Sequence, residues 1–184
     1  MAVHVAMLRG INIGGRRRVP MAELRTLLSD AGYEDVRTYV QSGNIVLTSS
    51  AKAAEVEGDL RTLICERFGF DVPVVVRSRT QLKRVIELDP IDDAADDPKR
   101  YQVTFLAGKL PADVATRLQE RMIESERFVV RGREIYTWHP EGVARSKLAG
   151  AIADKGLGVT ATARNWTTVT TLLEMASASS GASA

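Results

Sequence analysis

One strand-to-helix opening occurs twice in this sequence. The first copy reads VAMLRG and then VPMAELRTL, and the second reads VTFLAG and then LPADVATRL. Each copy has a strand-like apolar segment, a glycine, a proline and then apolar residues at helical spacing. Proline suits the first turn of a helix, so both copies predict a strand followed by a helix. We therefore expect a chain built from two similar halves.

The first half extends this opening into a β-α-β-β-α-β order. A helix begins at Pro20, and VRTYVQ and IVLTSS are typical of two strands joined by a tight turn. A second helix ends at Gly69, and VPVVVRS is the fourth strand. This order is that of the ferredoxin-like fold.

The second half repeats the order and adds a last helix that begins at Asn165. Ser78 and Gln81 predict a capping box for a linking helix between the halves. The fold class is therefore α+β: two ferredoxin-like halves with mainly antiparallel sheets, plus a C-terminal helix. We assign residues 1–78 to the first half, 79–98 to a linking helix and acidic linker, 99–176 to the second half with the last helix, and 177–184 to a disordered tail.

Composition excludes several functional classes. Among 184 residues, 45% are hydrophobic and 26% are charged, and no apolar stretch approaches the ~20 residues that span a bilayer. The N-terminus has no secretory signal pattern. Cys65 is the single cysteine, which excludes an intrachain disulfide and a thiolate zinc site. We expect a cytoplasmic protein with no metal, no cofactor and no membrane association.

Titratable side chains offer little catalytic chemistry. We interpret His4 as a structural residue of the first strand and expect His139 to be exposed at a strand end, since neither has metal-ligand spacing. Cys65, beside Ile64 on a helix, is interpreted as a packed or half-buried thiol. The acidic run is interpreted as a solvated linker; its residues are Glu87, Asp89, Asp92, Asp93, Asp96 and Asp97.

The segment LRGINIGGRRRVP holds three glycines and four arginines and no acid, although the net charge of the chain is only +2. In a ferredoxin-like unit the first two strands run parallel, so this loop emerges at the same sheet end as the SGN turn. Glycine backbone and arginine side chains suit an anionic ligand. The candidate ligand-binding residues are Arg9, Asn12, Gly14, Gly15, Arg16, Gln41, Ser42 and Asn44. Alternatively, SGN is only a hairpin turn and the arginines are only a solvated face.

A second candidate patch comes from two helix starts. Arg145, Ser146 and Lys147 form one triplet, and Arg164, Asn165 and Trp166 form the other. Cations at a helix N-terminus interact unfavourably with the helix dipole. A bound anion would compensate for that unfavourable interaction, so the two triplets indicate an anion-binding patch. In the alternative interpretation Ser146 and Asn165 are plain caps and Trp166 is a core or hydrophobic-staple residue.

Aromatic residues on the second sheet raise a further alternative. Tyr101 and Phe105 share a strand face, as do Tyr136 and Trp138, and RNA-binding sheets stack bases on such residues. The alternation of Tyr101, Val103 and Phe105 with polar residues favours an ordinary core face instead.

Five segments resemble a known family. LRGINIGG, VRTYVQSGN, FGFDVPVVVRS, RSKL and TARNWTTVTTLLE are similar, in that order, to the uncharacterised bacterial family catalogued as domain of unknown function 1697. The resemblance extends from the first strand to the last helix. It implies a cytoplasmic bacterial protein with an α+β, ferredoxin-like build, and it implies no reaction.

Three functional hypotheses follow. The first is a cofactor-free binding protein for a phosphate-bearing ligand, either a nucleotide or a nucleic acid. The second is a small enzyme at the same sheet end that uses Ser42 or Tyr39 with arginine stabilisation of a developing anion. The third is an interaction module whose basic loop meets an acidic protein surface. The sequence defines no catalytic residue, no ligand identity and no oligomeric state.

Overall fold

The first sheet has the strand order β2-β3-β1-β4, with every neighbouring pair antiparallel. The structure is a computed structural model, and it describes residues 1–92, 96–153 and 155–178. The strands are β1 (Ala2–Leu8), β2 (Glu34–Tyr39), β3 (Asn44–Ser49) and β4 (Val74–Ser78). Because β3 is antiparallel to both β1 and β2, these two strands run parallel, and their C-terminal ends lie at one end of the sheet.

Two helices cover one face of this sheet. They are α1 (Met21–Asp30) and α2 (Ala53–Phe68). Pro20 precedes α1 with the extended backbone of an N-cap residue, and Leu24 and Leu28 are buried one turn apart. Gly69 ends α2 with a φ of 78°, a left-handed conformation that favours glycine. The helices and the strand residues beneath them form one apolar core.

The second sheet repeats the same topology, with the order β6-β7-β5-β8. Its strands are β5 (Tyr101–Leu106), β6 (Arg127–Arg131), β7 (Glu134–Trp138) and β8 (Ala161–Asn165), and its helices are α4 (Ala112–Gln119) and α5 (Lys147–Ala153). Pro111 occupies the N-cap of α4 as Pro20 does for α1. The predicted pair of ferredoxin-like arrangements is confirmed.

The aromatic residues of the second sheet belong to a core. Tyr101, Phe105, Tyr136 and Trp138 are at most 5% exposed, so no base can stack on them as they stand. The Tyr101 ring stacks on Trp166 with ring centroids 4.5 Å apart, and its hydroxyl donates a hydrogen bond to Asp89. Asp89 of the predicted solvated linker is therefore held by a buried tyrosine.

The linking helix α3 (Arg79–Leu88) starts at the predicted capping box. The Ser78 N–H donates to the side chain of Gln81 at 2.9 Å, and the Gln81 N–H donates to the Ser78 hydroxyl at 3.2 Å. Asp93 of the acidic run lies outside the described residues.

The chain divides into two units. The first comprises Met1–Arg84 with Thr171–Ala184, and the second comprises Val85–Thr170. The last helix, α6 (Trp166–Ala178), thus contributes its C-terminal part to the first unit, where the Arg37 guanidinium donates to the Met175 carbonyl at 2.7 Å. The predicted tail begins inside α6, because the helix runs to Ala178; residues 179–184 lie outside the described ones.

Candidate functional site

The loop between β1 and α1 contains a small hairpin of its own. The Asn12 N–H donates to the Arg17 carbonyl at 3.1 Å, and the Arg16 N–H donates to the Ile13 carbonyl at 3.3 Å. Gly14 and Gly15 form the turn, with φ angles of 60° and 75°. Positive φ at both central residues is what a type I′ turn requires. We call residues 12–18 the basic hairpin.

The Asn12 side chain fixes the base of the basic hairpin. Its amide nitrogen donates to the carbonyls of Val19 at 3.0 Å and of Gln41 at 2.8 Å, and its amide oxygen accepts from the Val19 N–H at 2.9 Å. Both amide hydrogens are therefore used within the protein. The bond to Gln41 joins the hairpin to the β2–β3 turn, residues 40–43, which places the two predicted loops at one sheet end.

Gly43 permits the close approach of that turn. The Leu8 N–H donates to the Gly43 carbonyl at 2.8 Å. A Cβ at Gly43 would lie 2.6 Å from the Leu8 Cβ and 2.8 Å from the Ile11 Cδ1, and the φ of Gly43 is +73°. Only glycine fits here without displacing the loop.

Exposure divides the loop into an anchored base and an exposed tip. Ile11 and Val19 are buried in the helix-side core, whereas Ile13 is 72% exposed. Arg16, Arg17 and Arg18 are all exposed. The tip therefore presents guanidinium groups to solvent on a backbone that the base holds in place.

The charge of Arg17 acts on the Asp71 carboxyl. The pKa of the exposed Asp71 carboxyl is lowered, mainly by the hydrogen bond from the Arg61 guanidinium, with a smaller contribution from the charge of Arg17. Arg9 is half-buried at the base, where its N–H donates to the Pro73 carbonyl at 2.9 Å.

Asn44 does not occupy the exposed rim where we expected it. It is fully buried, and its amide donates to the Tyr39 carbonyl at 3.2 Å and to the Ser42 hydroxyl at 2.9 Å. The amide closes the β2–β3 turn from inside, because a buried polar group needs internal partners. Gln41 and Ser42 are exposed at the rim, but the Ser42 hydroxyl is engaged by Asn44.

Two residues of the second candidate patch, Ser146 and Asn165, cap helices. The Ala149 N–H donates to the Ser146 hydroxyl, and the Thr168 N–H donates to the Asn165 side chain, both at 2.9 Å. The Arg164 guanidinium donates to the Thr162 hydroxyl at 2.8 Å, and burial lowers its pKa to about 10. Trp166 stacks on Tyr101, while Arg145 and Lys147 are exposed. The two caps match the alternative interpretation, and Trp166 is half-buried.

A buried polar network in the second unit was missed from the sequence. His139, which we expected to be exposed, is 1% exposed. Its Nδ1 lies 2.8 Å from Glu126 Oε1, and its Nε2 lies 2.9 Å from the Thr137 hydroxyl. The Ser146 hydroxyl donates to the same Glu126 oxygen at 2.5 Å. Thr137 and Glu126 are buried as well, so the network joins β7 to the start of α5 inside the second unit.

Burial and hydrogen bonding shift the pKa of the Glu126 carboxyl in opposite directions. Burial is the largest influence and raises that pKa, but the hydrogen bonds from Ser146, His139 and the Ile123 N–H together outweigh burial. The net pKa is lower than usual, which keeps the carboxylate ionised inside the unit. No short sequence spacing signals this arrangement, because its members come from separate segments.

A family comparison matches most of the chain. The sequence profile of a family described as a protein of unknown function, DUF1697, matches residues 1–136. The chain belongs to the DUF1697 family. The match includes the basic hairpin and the SGN turn, but it ends before RSKL and TARNWTTVTTLLE, which we had expected the family resemblance to include.

A solved structure has the same fold as this DUF1697 protein. It is the conserved bacterial protein SP0830 from Streptococcus pneumoniae, at a TM-score of 0.79 and 25% sequence identity, covering 95% of this chain and 98% of that one. Among curated proteins, no significant match was found. The comparisons support the fold and the family and assign no activity.

Three further features of this DUF1697 chain concern its cysteine, metal-ligating side chains and helix hydropathy. Cys65 is exposed on α2 rather than packed or half-buried as expected. Within the described ranges, no group of three or more His, Cys, Asp or Glu side chains is placed to hold a metal ion. None of the described helices is both long enough and apolar enough to cross a membrane.

Proposed function

We propose that this protein binds a phosphate-bearing polyanion, a nucleic acid, through the basic hairpin. The observation that carries the proposal is the exposure of Arg16, Arg17 and Arg18 on a tip whose base is hydrogen-bonded by Asn12. A fixed backbone lowers the entropy lost when these side chains engage phosphates. Arginine also binds phosphate oxygens in a bidentate manner.

The form of the tip favours an extended ligand over a mononucleotide. Gly14 and Gly15 have open space at their Cβ positions, and Ile13 at the turn is largely exposed. A tight turn of this kind, closed by a single β-bridge between Ile13 and Arg16, is short enough to lie along a phosphate backbone. A mononucleotide would need a pocket with several converging polar groups, and the amides of Asn12 and Asn44 already have internal partners.

The test is a salt titration of binding. Replacing Arg16, Arg17 and Arg18 together with Gln should weaken the binding of fluorescently labelled duplex DNA and of single-stranded RNA, measured by anisotropy. For duplex DNA, the slope of log K against log salt should fall by up to about 2.7, since each phosphate contact contributes about 0.9.

A charge-matched control separates local contacts from net charge. Lys99, Lys109 and Arg131 are exposed in the second unit, and replacing these three with Gln removes the same charge elsewhere. The control should keep the wild-type slope. An equal loss in both triple variants would show non-specific attraction and reject the hairpin as the site. Binding of mononucleotides but not of oligonucleotides would reject the polyanion in favour of a pocket.

A further inference from the structure

A separate groove lies in the second unit, between α4 and α5. It has a volume of about 360 Å³. Its floor is apolar, formed by Val114, Leu118 and Leu157, which are at most 6% exposed. The groove is therefore open to solvent above an apolar floor whose side chains expose only a small part of their own surface.

Cations surround this floor. Arg117, Arg121 and Lys147 line the groove, and none of the described residues that line it is acidic. Asp113 lies 3.7 Å from the Arg117 guanidinium, one helical turn away, but both side chains are well exposed. Solvent-exposed pairs of this type contribute little, so a ligand can compete for Arg117. The charge pattern is complementary to an anion.

Glycine keeps the groove open. Gly150 lies inside α5 and Gly156 follows that helix; both line the groove, and a Cβ at either would meet no atom within 4 Å. Glycine lowers helix stability relative to alanine. No neighbouring atom is close enough to require glycine at position 150. The missing side chain of Gly150 instead leaves open space in the groove beside the three cationic side chains.

We propose that this groove binds a small organic phosphate. The phosphate group contacts Arg117, Arg121 and Lys147, and the apolar body of the molecule lies on Val114, Leu118 and Leu157. An inorganic anion would use the cations alone, whereas a ligand with both parts also covers the floor. The groove and the basic hairpin belong to different units, so this proposal does not depend on the proposed nucleic-acid function.

Phenyl phosphate is the probe, with inorganic phosphate for comparison, and binding is measured by calorimetry on the full chain. We expect saturable binding of phenyl phosphate that is about threefold tighter than that of inorganic phosphate, because only the former covers the small apolar surface that the floor exposes. Binding should tighten as the pH rises through about 6, where a phosphomonoester becomes a dianion.

Two variants test the groove itself. Exchanging Arg121 and Lys147 together for Gln should weaken phenyl phosphate binding by about tenfold or more. Gly150→Leu should abolish it by filling the open space, and it should also leave the melting temperature unchanged or raised, since leucine is a good helix former. The charge-matched control exchanges Lys99 and Lys109 for Gln and should bind as the wild type does.

Several outcomes would overturn the proposal. These are no saturable binding up to about 10 mM phenyl phosphate, equal affinity for the two phosphates, or equal losses in the Arg121/Lys147 variant and its control. If Gly150→Leu fails to fold, the Arg121/Lys147 variant, which changes only exposed side chains, still decides the question. The Gln variant of Arg16, Arg17 and Arg18 should bind phenyl phosphate normally, which distinguishes failure here from failure of the nucleic-acid proposal.

Discussion

The two units join their first strand to their first helix in different ways. In the second unit, residues 107–111 connect β5 to α4, whereas in the first unit residues 9–20 connect β1 to α1. Both connections end at a proline N-cap with extended backbone. The longer connection differs by containing the basic hairpin.

The hydrogen bonds at the start of the two connections are equivalent. The Leu8 N–H donates to the Gly43 carbonyl at 2.8 Å, and the Leu106 N–H donates to the Arg133 carbonyl at 2.9 Å. In both units the next N–H donates to the carbonyl of the residue directly before the fourth strand. Arg9 donates to Pro73 at 2.9 Å, and Ala107 donates to Thr160 at 2.8 Å. The fold thus forms this junction without a hairpin. The basic hairpin therefore distinguishes the first unit from the second at this junction.

The largest effect we expect concerns the fit between the added loop and the β2–β3 turn. Gly43→Ala should lower the free energy of unfolding of the first unit by about 3 kcal/mol, from the positive φ and from overpacking against Leu8 and Ile11. Far-UV circular dichroism during urea unfolding would measure this loss. Tryptophan fluorescence reports separately on the second unit, because Trp138 and Trp166 both belong to it.

Gly132 in the β6–β7 turn is the matched control. Its φ is +59°, but the nearest atom to an added Cβ is a Glu134 carboxylate oxygen at 3.8 Å. Gly132→Ala should therefore cost only about 1 kcal/mol, from the backbone conformation alone. Equal losses at the two glycines would contradict the close approach of loop and turn that distinguishes the first unit.

A smaller effect is expected at the base of the hairpin. Asn12→Ala removes three hydrogen bonds and should lower stability by about 2 kcal/mol, because the buried Val19 N–H loses its partner. Hydrogen exchange at the Val19 amide should accelerate as well. Gln41→Ala is the control: it keeps the carbonyl that accepts from Asn12 and should change stability by less than about 0.5 kcal/mol. Unchanged exchange at Val19 in Asn12→Ala would show that the hairpin is held in another way.

We expect the smallest change in the free energy of unfolding for substitutions at the tip of the basic hairpin. Gly14→Ala should cost about 1 kcal/mol from its positive φ, since the space around it is open. Gly14→Asn should lie within about 0.5 kcal/mol of the wild type, because Asn-Gly is a favoured type I′ turn. Both values would come from urea midpoints. Equal destabilisation of both variants would contradict the type I′ geometry of the Gly14–Gly15 turn.

Local features were predictable from the sequence because their partners lie a few residues apart. The capping box of Ser78 and Gln81 and the caps at Ser146 and Asn165 all form as their residue types predict. The order of strands and helices followed from hydrophobic spacing, and the meeting of the basic hairpin with the SGN turn followed from the topology of a ferredoxin-like unit.

Side-chain environments that depend on distant segments were not predictable in this way. An asparagine that follows Ser-Gly is typical of an exposed turn. The register of β3 against β1 nevertheless places Asn44 opposite Met7, where it is buried. His139 follows a strand and precedes proline, which suggests exposure. It is buried because Glu126, from a different segment, supplies a hydrogen-bond partner that compensates for its desolvation.

The sequence by itself determined the repeated βαββαβ order, the helix caps and the arginine content of the first loop, since these depend on local backbone preference and on periodic burial. Only the tertiary structure decided which polar groups remain available to a ligand. The side-chain amides of Asn12 and Asn44 form hydrogen bonds within the protein, whereas the side chains of Arg16, Arg17 and Arg18 are exposed. The reason is that a buried polar group must find a partner within the fold, and the position of that partner is set by strand register and loop packing rather than by residue type.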